Sequence, residues 1–272
     1  MIRRLLPLIL LAGAALPAGA FQAEVLDHLV LDEVPVDGQG LAEISGLSFD
    51  AASGRLYGVS DRAILFTFDL TMDNDRLALT PVSATPLTGR DGAELDPKVF
   101  NPEGMTALGP QEAGQLAIIS EEGAQVARFD LEGQWLDAVA MPASLGAAVQ
   151  ARGGKRGPES LARHPEGWLV TAPEDPMLAD TGLRHDLITS NGLALSYGLP
   201  PDRPTRIKAM TVLPDGRLLI LERFEDKPAK ALRPDLRVID PRTCRDGTCA
   251  DSSTAPIEVP GITDADYEGL TQ

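Results

Sequence analysis

Ser45-Gly46-Leu47, a turn closing on Gly54, and the run Leu56-Tyr57-Gly58-Val59-Ser60-Asp61 form a stretch that the chain repeats. Its plan is a polar residue, a small residue and Leu or Met, then a Gly turn, then a β-branched strand ending in an acid. The second copy is Glu103-Gly104-Met105, a turn to Gly114, and Leu116 to Glu121. Glu159-Ser160-Leu161, the turn at Gly167, and Trp168 to Glu174 make the third. The fourth runs through Lys208-Ala209-Met210, the turn at Gly216, and Leu218 to Glu222-Arg223. Glu268-Gly269-Leu270 opens a fifth, two residues before Gln272.

The apolar anchors fall at Leu47, Met105, Leu161, Met210 and Leu270, so the period is 49 to 60 residues. That spacing belongs to propeller blades. Further strands follow each hairpin, as in Phe66-Thr67-Phe68-Asp69, Val126 to Asp130 and Trp135 to Val139. Four short antiparallel strands make one blade. No stretch of the mature chain keeps helical spacing for three turns without Gly or Pro, and 26 Gly with 22 Pro suit short strands. The fold class expected is all-β, a β-propeller of five or six four-stranded blades, C-terminally incomplete because the fifth repeat lacks its Gly turn. Val25 to Val34 is the expected closing partner of the last blade. Arg152 to Arg156 and the charged segment Arg223 to Arg237 read as exposed loops, and Asp73-Asn74-Asp75 as a solvated turn.

Met1-Ile2-Arg3-Arg4 precedes an apolar run from Leu5 to Leu16 and the small residues Ala18-Gly19-Ala20. This is the layout of a signal peptide over residues 1–20, cleaved after Ala20 and too short to span a bilayer. Residues 21–272 then form one propeller domain in the periplasm or outside the cell. Without the leader, 22 basic face 40 acidic side chains, a net charge of −18. Such a surface excludes nucleic acid and anionic lipid as partners. A monomer with no membrane span in its mature part is expected. The two cysteines, Cys244 and Cys249, flank Arg245-Asp246-Gly247-Thr248. Asp-Gly favours a tight hairpin that sets them opposite each other, so a disulfide is expected in an oxidising compartment.

In an antiparallel hairpin the entry of one strand and the exit of the next lie at one end. Glu103 with Glu121, Glu159 with Glu174, Lys208 with Glu222, and Ser45 with Asp61 should therefore gather at one channel mouth, near Arg62, Arg223 and Glu268. Crowded carboxylates bind a cation, pair with a base or keep a proton. The metal ligands expected are Glu103, Glu121, Glu159, Asp61 and Glu268, with calcium as the cofactor. Catalytic roles are expected for Glu103, Glu159, Glu174, Lys208 and Arg62. The competing reading is that such acids only fix turns through backbone N–H groups. A serine-hydrolase elbow, a paired-histidine zinc motif and a phosphate-cradling loop are missing, and the histidines are scattered, with His164 in a turn at the far end.

The string from Ile44 to Arg62, Asn101-Pro102-Glu103-Gly104-Met105-Thr106, and Arg156-Gly157-Pro158-Glu159-Ser160-Leu161 resemble the phytase-like, esterase-like repeat family of exported bacterial proteins. The similarity runs from about Leu41 onward. The resemblance implies a propeller and hydrolysis of a small-molecule ester or phosphoester centred on the recurrent acids. The sequence departs from the fullest pattern at Ser45, with Glu43 two residues earlier, and at Lys208. A non-catalytic propeller that binds a small ligand or protein at the mouth is the alternative, and a lactonase or sugar-dehydrogenase propeller is a third.

Overall fold

The computed structural model describes residues 7–11, 23–31, 35–154, 156–180, 182–229, 231–249, 254–256 and 266–272. The cleavage site expected after Ala20 lies outside the described residues. Strand β1 (Pro7–Leu11) pairs antiparallel with β2 (Val25–Val30), and β3 (Pro35–Val36) with β4 (Gln39–Gly40).

Four sheets follow, one per repeat. The first blade is β5 (Ile44–Asp50), β6 (Arg55–Ser60), β7 (Ile64–Asp73) and β8 (Arg76–Pro86). The second is β9 (Pro102–Ala107), β10 (Gln115–Ser120), β11 (Gln125–Asp130) and β12 (Trp135–Val139). The third holds β13 (Pro158–Arg163), β14 (Leu169–Pro173), β15 (Met177–Ala179), β16 (Gly182–Thr189) and β17 (Ala194–Gly198). The fourth is β18 (Thr205–Val212), β19 (Leu218–Asp226), β20 (Ala231–Ile239) and β21 (Thr254–Pro256). The propeller is thus as expected, with four blades among the described residues rather than five or six, and with five strands rather than four in the third. The fifth copy of the pattern contributes one segment, 266–272, to the ring.

First strands are innermost: β5 packs on β9, β9 on β13, and β13 on β18. Between blade four and blade one stands the segment 266–272. Tyr267 and Leu270 pack on Ala209, Leu219, Leu221, Leu236 and Val238, while Thr271 Oγ1 accepts the Phe49 N–H at 2.7 Å. The residue after each polar anchor is Gly46, Gly104, Ser160, Ala209 or Gly269, and all five line the channel. Their smallness has a steric cause. A Cβ on Gly104 would lie 2.5 Å from the Leu161 nitrogen, and one on Gly46 2.6 Å from the Glu103 carbonyl oxygen.

The turn glycines Gly54, Gly114, Gly167 and Gly216 all have positive φ, which glycine adopts without a Cβ penalty. Apolar residues from facing sheets fill the spaces between blades. Leu116, Ile118, Ala127 and Phe129 of blade two pack with Tyr57, Val59 and Leu65 of blade one.

Two expectations require correction. Among the described residues Val25–Val30 pairs with no strand of the last blade; it pairs with β1 and lies beside β8, where the Asp27 carboxylate accepts the Leu77 N–H at 2.8 Å, and only Ala23 and Val25 pack on the apolar residues of blade four. Residues 32–34 lie outside the described set. Much of Arg223 to Arg237 is a long β19–β20 hairpin, because its alternating side chains pair across nine register positions. Among the described residues one short α-helix is present, α1 (Ser144–Ala151), with Leu145 and Val149 buried; at eight residues it stays below the three turns that the sequence excludes. The turn at Asn74 and Asp75 is as expected, both with positive φ at the tip of β7–β8.

Asp246 and Gly247 both take positive φ, Arg245 pairs with Thr248, and Cys244 and Cys249 are joined. Sequence reading missed where this hairpin goes. The Ser196 N–H donates to the Gly247 carbonyl and the Cys249 N–H to the Ser196 carbonyl, both at 2.7 Å, so the loop leaving blade four covers the edge strand β17 of blade three.

Candidate functional site at the channel mouth

The site arises from a repeated irregularity of the inner strands. Pairing between first and second strands skips one residue between Ile44 and Gly46, between Pro102 and Gly104, between Pro158 and Ser160, and between Ile207 and Ala209. The skipped residues are Ser45, Glu103, Glu159 and Lys208. A bulge frees one residue from the ladder and re-aims its side chain. Every polar anchor therefore sits on a bulge, and Glu268 takes the fifth place.

Lys208 is the hub. Its ammonium bonds to the Glu159 carboxylate and lies 3.2 Å from Glu268 Oε1 and 3.6 Å from Glu174 Oε1. The lysine side chain is 5% exposed and Glu174 1%, so each charge depends on the other. Glu174 also receives Arg156 at 3.0 Å and Arg223 at 3.4 Å. Arg223 reaches Asp266 as well, and Arg156 and Arg206 share Asp175.

On the other side, the Asn101 side-chain amide donates to Glu103 at 3.0 Å and to Glu121 at 3.2 Å. Glu121 also accepts the Gly157 N–H at 3.1 Å. Arg62 binds Glu43 at 2.8 Å at the rim. Burial pushes the Glu103 carboxyl up to about 8, helped by Glu268 and Glu121 and opposed by Lys208 and the Ser45 hydroxyl. Asp61 rises to about 6 through burial and the neighbouring Glu43. For Glu174, burial outweighs its arginine partners and the carboxyl is also raised.

Glu103, Glu121, Glu159, Glu174, Glu268, Lys208, Asp61, Arg62 and Arg223 thus share one mouth. Glu222 does not. The bulge sets Glu222 opposite Ile207, on the face of blade four that meets Tyr197 of blade three. There it is fully buried, accepting from the Tyr197 hydroxyl at 2.7 Å, Thr205 at 3.0 Å and Arg237 at 2.6 Å. Arg223 fills the place that Asp61, Glu121 and Glu174 hold in the other blades. Asn101, Glu43, Arg156, Asp175, Arg206 and Asp266 were not singled out as site residues. Asn101 and Glu43 each stand two residues before an anchor, just ahead of the strands β9 and β5.

Calcium fits this arrangement poorly. The ammonium of Lys208 holds the position among Glu159, Glu174 and Glu268 that a cation would take, and Asn101 bridges Glu103 to Glu121. No group of three or more His, Cys, Asp or Glu side chains among the described residues is placed to hold a metal ion. Below the mouth the channel narrows to a cavity of about 10 Å³, so any ligand larger than water stays at the mouth. A larger cavity of about 170 Å³ opens elsewhere, among Leu108, Glu112, Arg128, Val139, Leu169 and Ser190, away from the acids. His164 stacks on Trp168 and takes no part in the site.

A family model described as phytase-like, esterase-like activity of phytase, matches residues 39–271. The chain belongs to the phytase-like family. This match spans all four blades and the segment carrying Glu268. No curated protein matches the chain. Among solved structures it is similar to the WD40 domain of Neurospora crassa Pan2, at 9% identity and a TM-score of 0.38. That likeness covers 77% of this chain and 49% of the other, so the phytase-like chain spans about half the length of that structure. No helix among the described residues is long and apolar enough to cross a membrane.

Proposed function

We propose that this phytase-like propeller hydrolyses a small-molecule ester or phosphoester at the mouth of its channel, with Glu103 as the proton-transferring group. The observation that carries the reading is a carboxyl held up to about 8 in a ring that also contains a buried ammonium. An acid of that strength keeps its proton at neutral pH and gives it up to a departing alkoxide. Water attacks the acyl carbon or phosphorus and the bond to the leaving oxygen breaks; the Glu103 proton passes to that oxygen, and the proton lost by the attacking water returns to the Glu103 carboxylate. Lys208 faces the developing negative charge, Glu159 and Glu174 hold Lys208 in place, and Arg62 orients the substrate from the rim. No step is routed through calcium, since Glu103, Glu121, Glu159 and Glu268 already have partners.

The same reading places the protein in the periplasm or outside the cell, where the Cys244–Cys249 bridge persists. Turnover of a panel of chromogenic esters by the purified protein tests the function. Activity that disappears in Glu103→Gln, with folding retained, supports it. Equal turnover by the variant removes Glu103 from the reaction, and saturable binding without turnover favours a non-catalytic ligand site.

A further inference from the structure

Resting on that reading, we infer that the mouth selects uncharged or cationic esters and rejects phosphorylated ones, because each of its cations already pairs with a carboxylate. Arg62 is taken by Glu43, Arg206 by Asp175, and Arg156 by Glu174 and Asp175. Lys208 is taken by Glu159, Glu174 and Glu268, and Arg223 by Glu174 and Asp266. Among the described residues, Asp61 and Glu121 form no salt bridge, so carboxylates exceed cations even with Glu103 protonated. A cleft lined by one sign of charge concentrates ligands of the other sign and repels its own. The whole molecule adds to this field, with a formal charge of −16.

Of two orphaned polar atoms, the one on Asp61 points to a ligand rather than to a sealed cluster. Ser160 is 1% exposed and lines the channel beside Glu159, and its hydroxyl has no hydrogen-bond partner. Asp61 Oδ1 is likewise buried without one. Buried polar atoms without partners are rare, because each forfeits its interaction with water. The free carboxylate oxygen of Asp61 suits an ammonium or hydroxyl, and the Ser160 hydroxyl, in a cavity with room for no more than a water, suits a water at the base of the mouth. Neither arrangement supplies the convergent cations that a phosphate dianion requires.

The test compares three esters with the full-length protein in buffer containing a chelator: p-nitrophenyl acetate (neutral), acetylthiocholine (cationic) and p-nitrophenyl phosphate (anionic). kcat/KM for either carboxylic ester should exceed that for the phosphate about 100-fold or more, and the acetylthiocholine value should fall several-fold between low and physiological salt. Asp175→Asn frees Arg206 and part of Arg156, and should raise turnover of the phosphate about tenfold. Phosphate turnover within about tenfold of the neutral ester without metal, or no gain in Asp175→Asn, overturns the inference while leaving the hydrolase reading in place. If none of the three is hydrolysed the hydrolase reading fails, and thermal stabilisation still decides the charge preference. A melting temperature raised by choline and not by inorganic phosphate supports the inference, and the reverse overturns it.

Discussion

Replacing Glu103 by Gln tests the chemistry and the physics of the mouth together. Gln keeps the volume and the amide contact available to Asn101 but has no proton to lose. In the folded protein the Glu103 carboxyl holds its proton up to about pH 8, whereas the unfolded chain releases it near 4.5. Its contribution to stability is therefore fully present below pH 4.5 and is lost as the pH rises through 8. The shift is worth at most about 5 kcal/mol at about 1.4 kcal/mol per unit. Solvent at the mouth and relaxation of Glu268 and Lys208 reduce this to about 2 to 3 kcal/mol. The variant does not lose this stability. Relative to wild type it should gain about 4 to 10 °C in melting temperature on going from pH 5 to pH 9. Turnover of a chromogenic ester should fall about 100-fold or more in the same variant. Scanning calorimetry of both proteins at pH 5 and pH 9 provides the check. A wild-type minus variant difference that is the same at both pH values would falsify the claim that burial keeps Glu103 protonated.

Lys208→Met leaves Glu159, Glu174 and Glu268 without their shared counter-charge; about 3 to 5 kcal/mol of stability should be lost, seen as a lower urea midpoint at pH 7 and partly restored at pH 5. Gly104→Ala forces β9 away from β13 and should cost about 1 to 3 kcal/mol, measured in the same way, with Gly114→Ala affected through its positive φ instead. Removing the bridge in Cys244→Ser/Cys249→Ser should cost about 2 kcal/mol, and hydrogen exchange should quicken at Ser196 and Cys249 before other parts of blade three.

The propeller was legible because its physics is periodic. Each copy carries a Gly at the turn and alternating apolar residues beyond it, and both survive as positive φ and buried faces in all four blades. Cys244 and Cys249 were legible for the same local reason, since Asp246-Gly247 specifies the turn that joins them. Blade number and closure were less accessible. They depend on how closely the inner strands approach, and that is set by small side chains at 46, 104, 160, 209 and 269, whose pattern was visible but whose steric role was not. The destination of the disulfide loop on β17 involves residues about 50 positions apart and no repeated motif.

The misplacement of Glu222 shows what the bulges add. Counting five residues from Leu56, Leu116, Leu169 and Leu218 reaches Asp61, Glu121, Glu174 and Arg223, so the sequence does contain the correct alignment. Reading each strand by its terminal acid placed Glu222 in the ring instead, one residue early. A single step along a strand reverses the side chain, which is why Glu222 points to Tyr197 and Arg237 while Arg223 points to Glu174. The inner strand makes the opposite use of the same rule. One extra residue in β5, β9, β13 and β18 releases Ser45, Glu103, Glu159 and Lys208 from the ladder without disturbing the apolar residues that follow. A regular strand would have had to choose between packing Leu47, Met105, Leu161 and Met210 in the core and presenting the polar anchors to the axis. The bulge lets one sequence do both, so the feature that makes the blades pack is separable from the feature that makes the mouth reactive. Substitutions at the four anchors can therefore change the chemistry while the repeat continues to specify the fold.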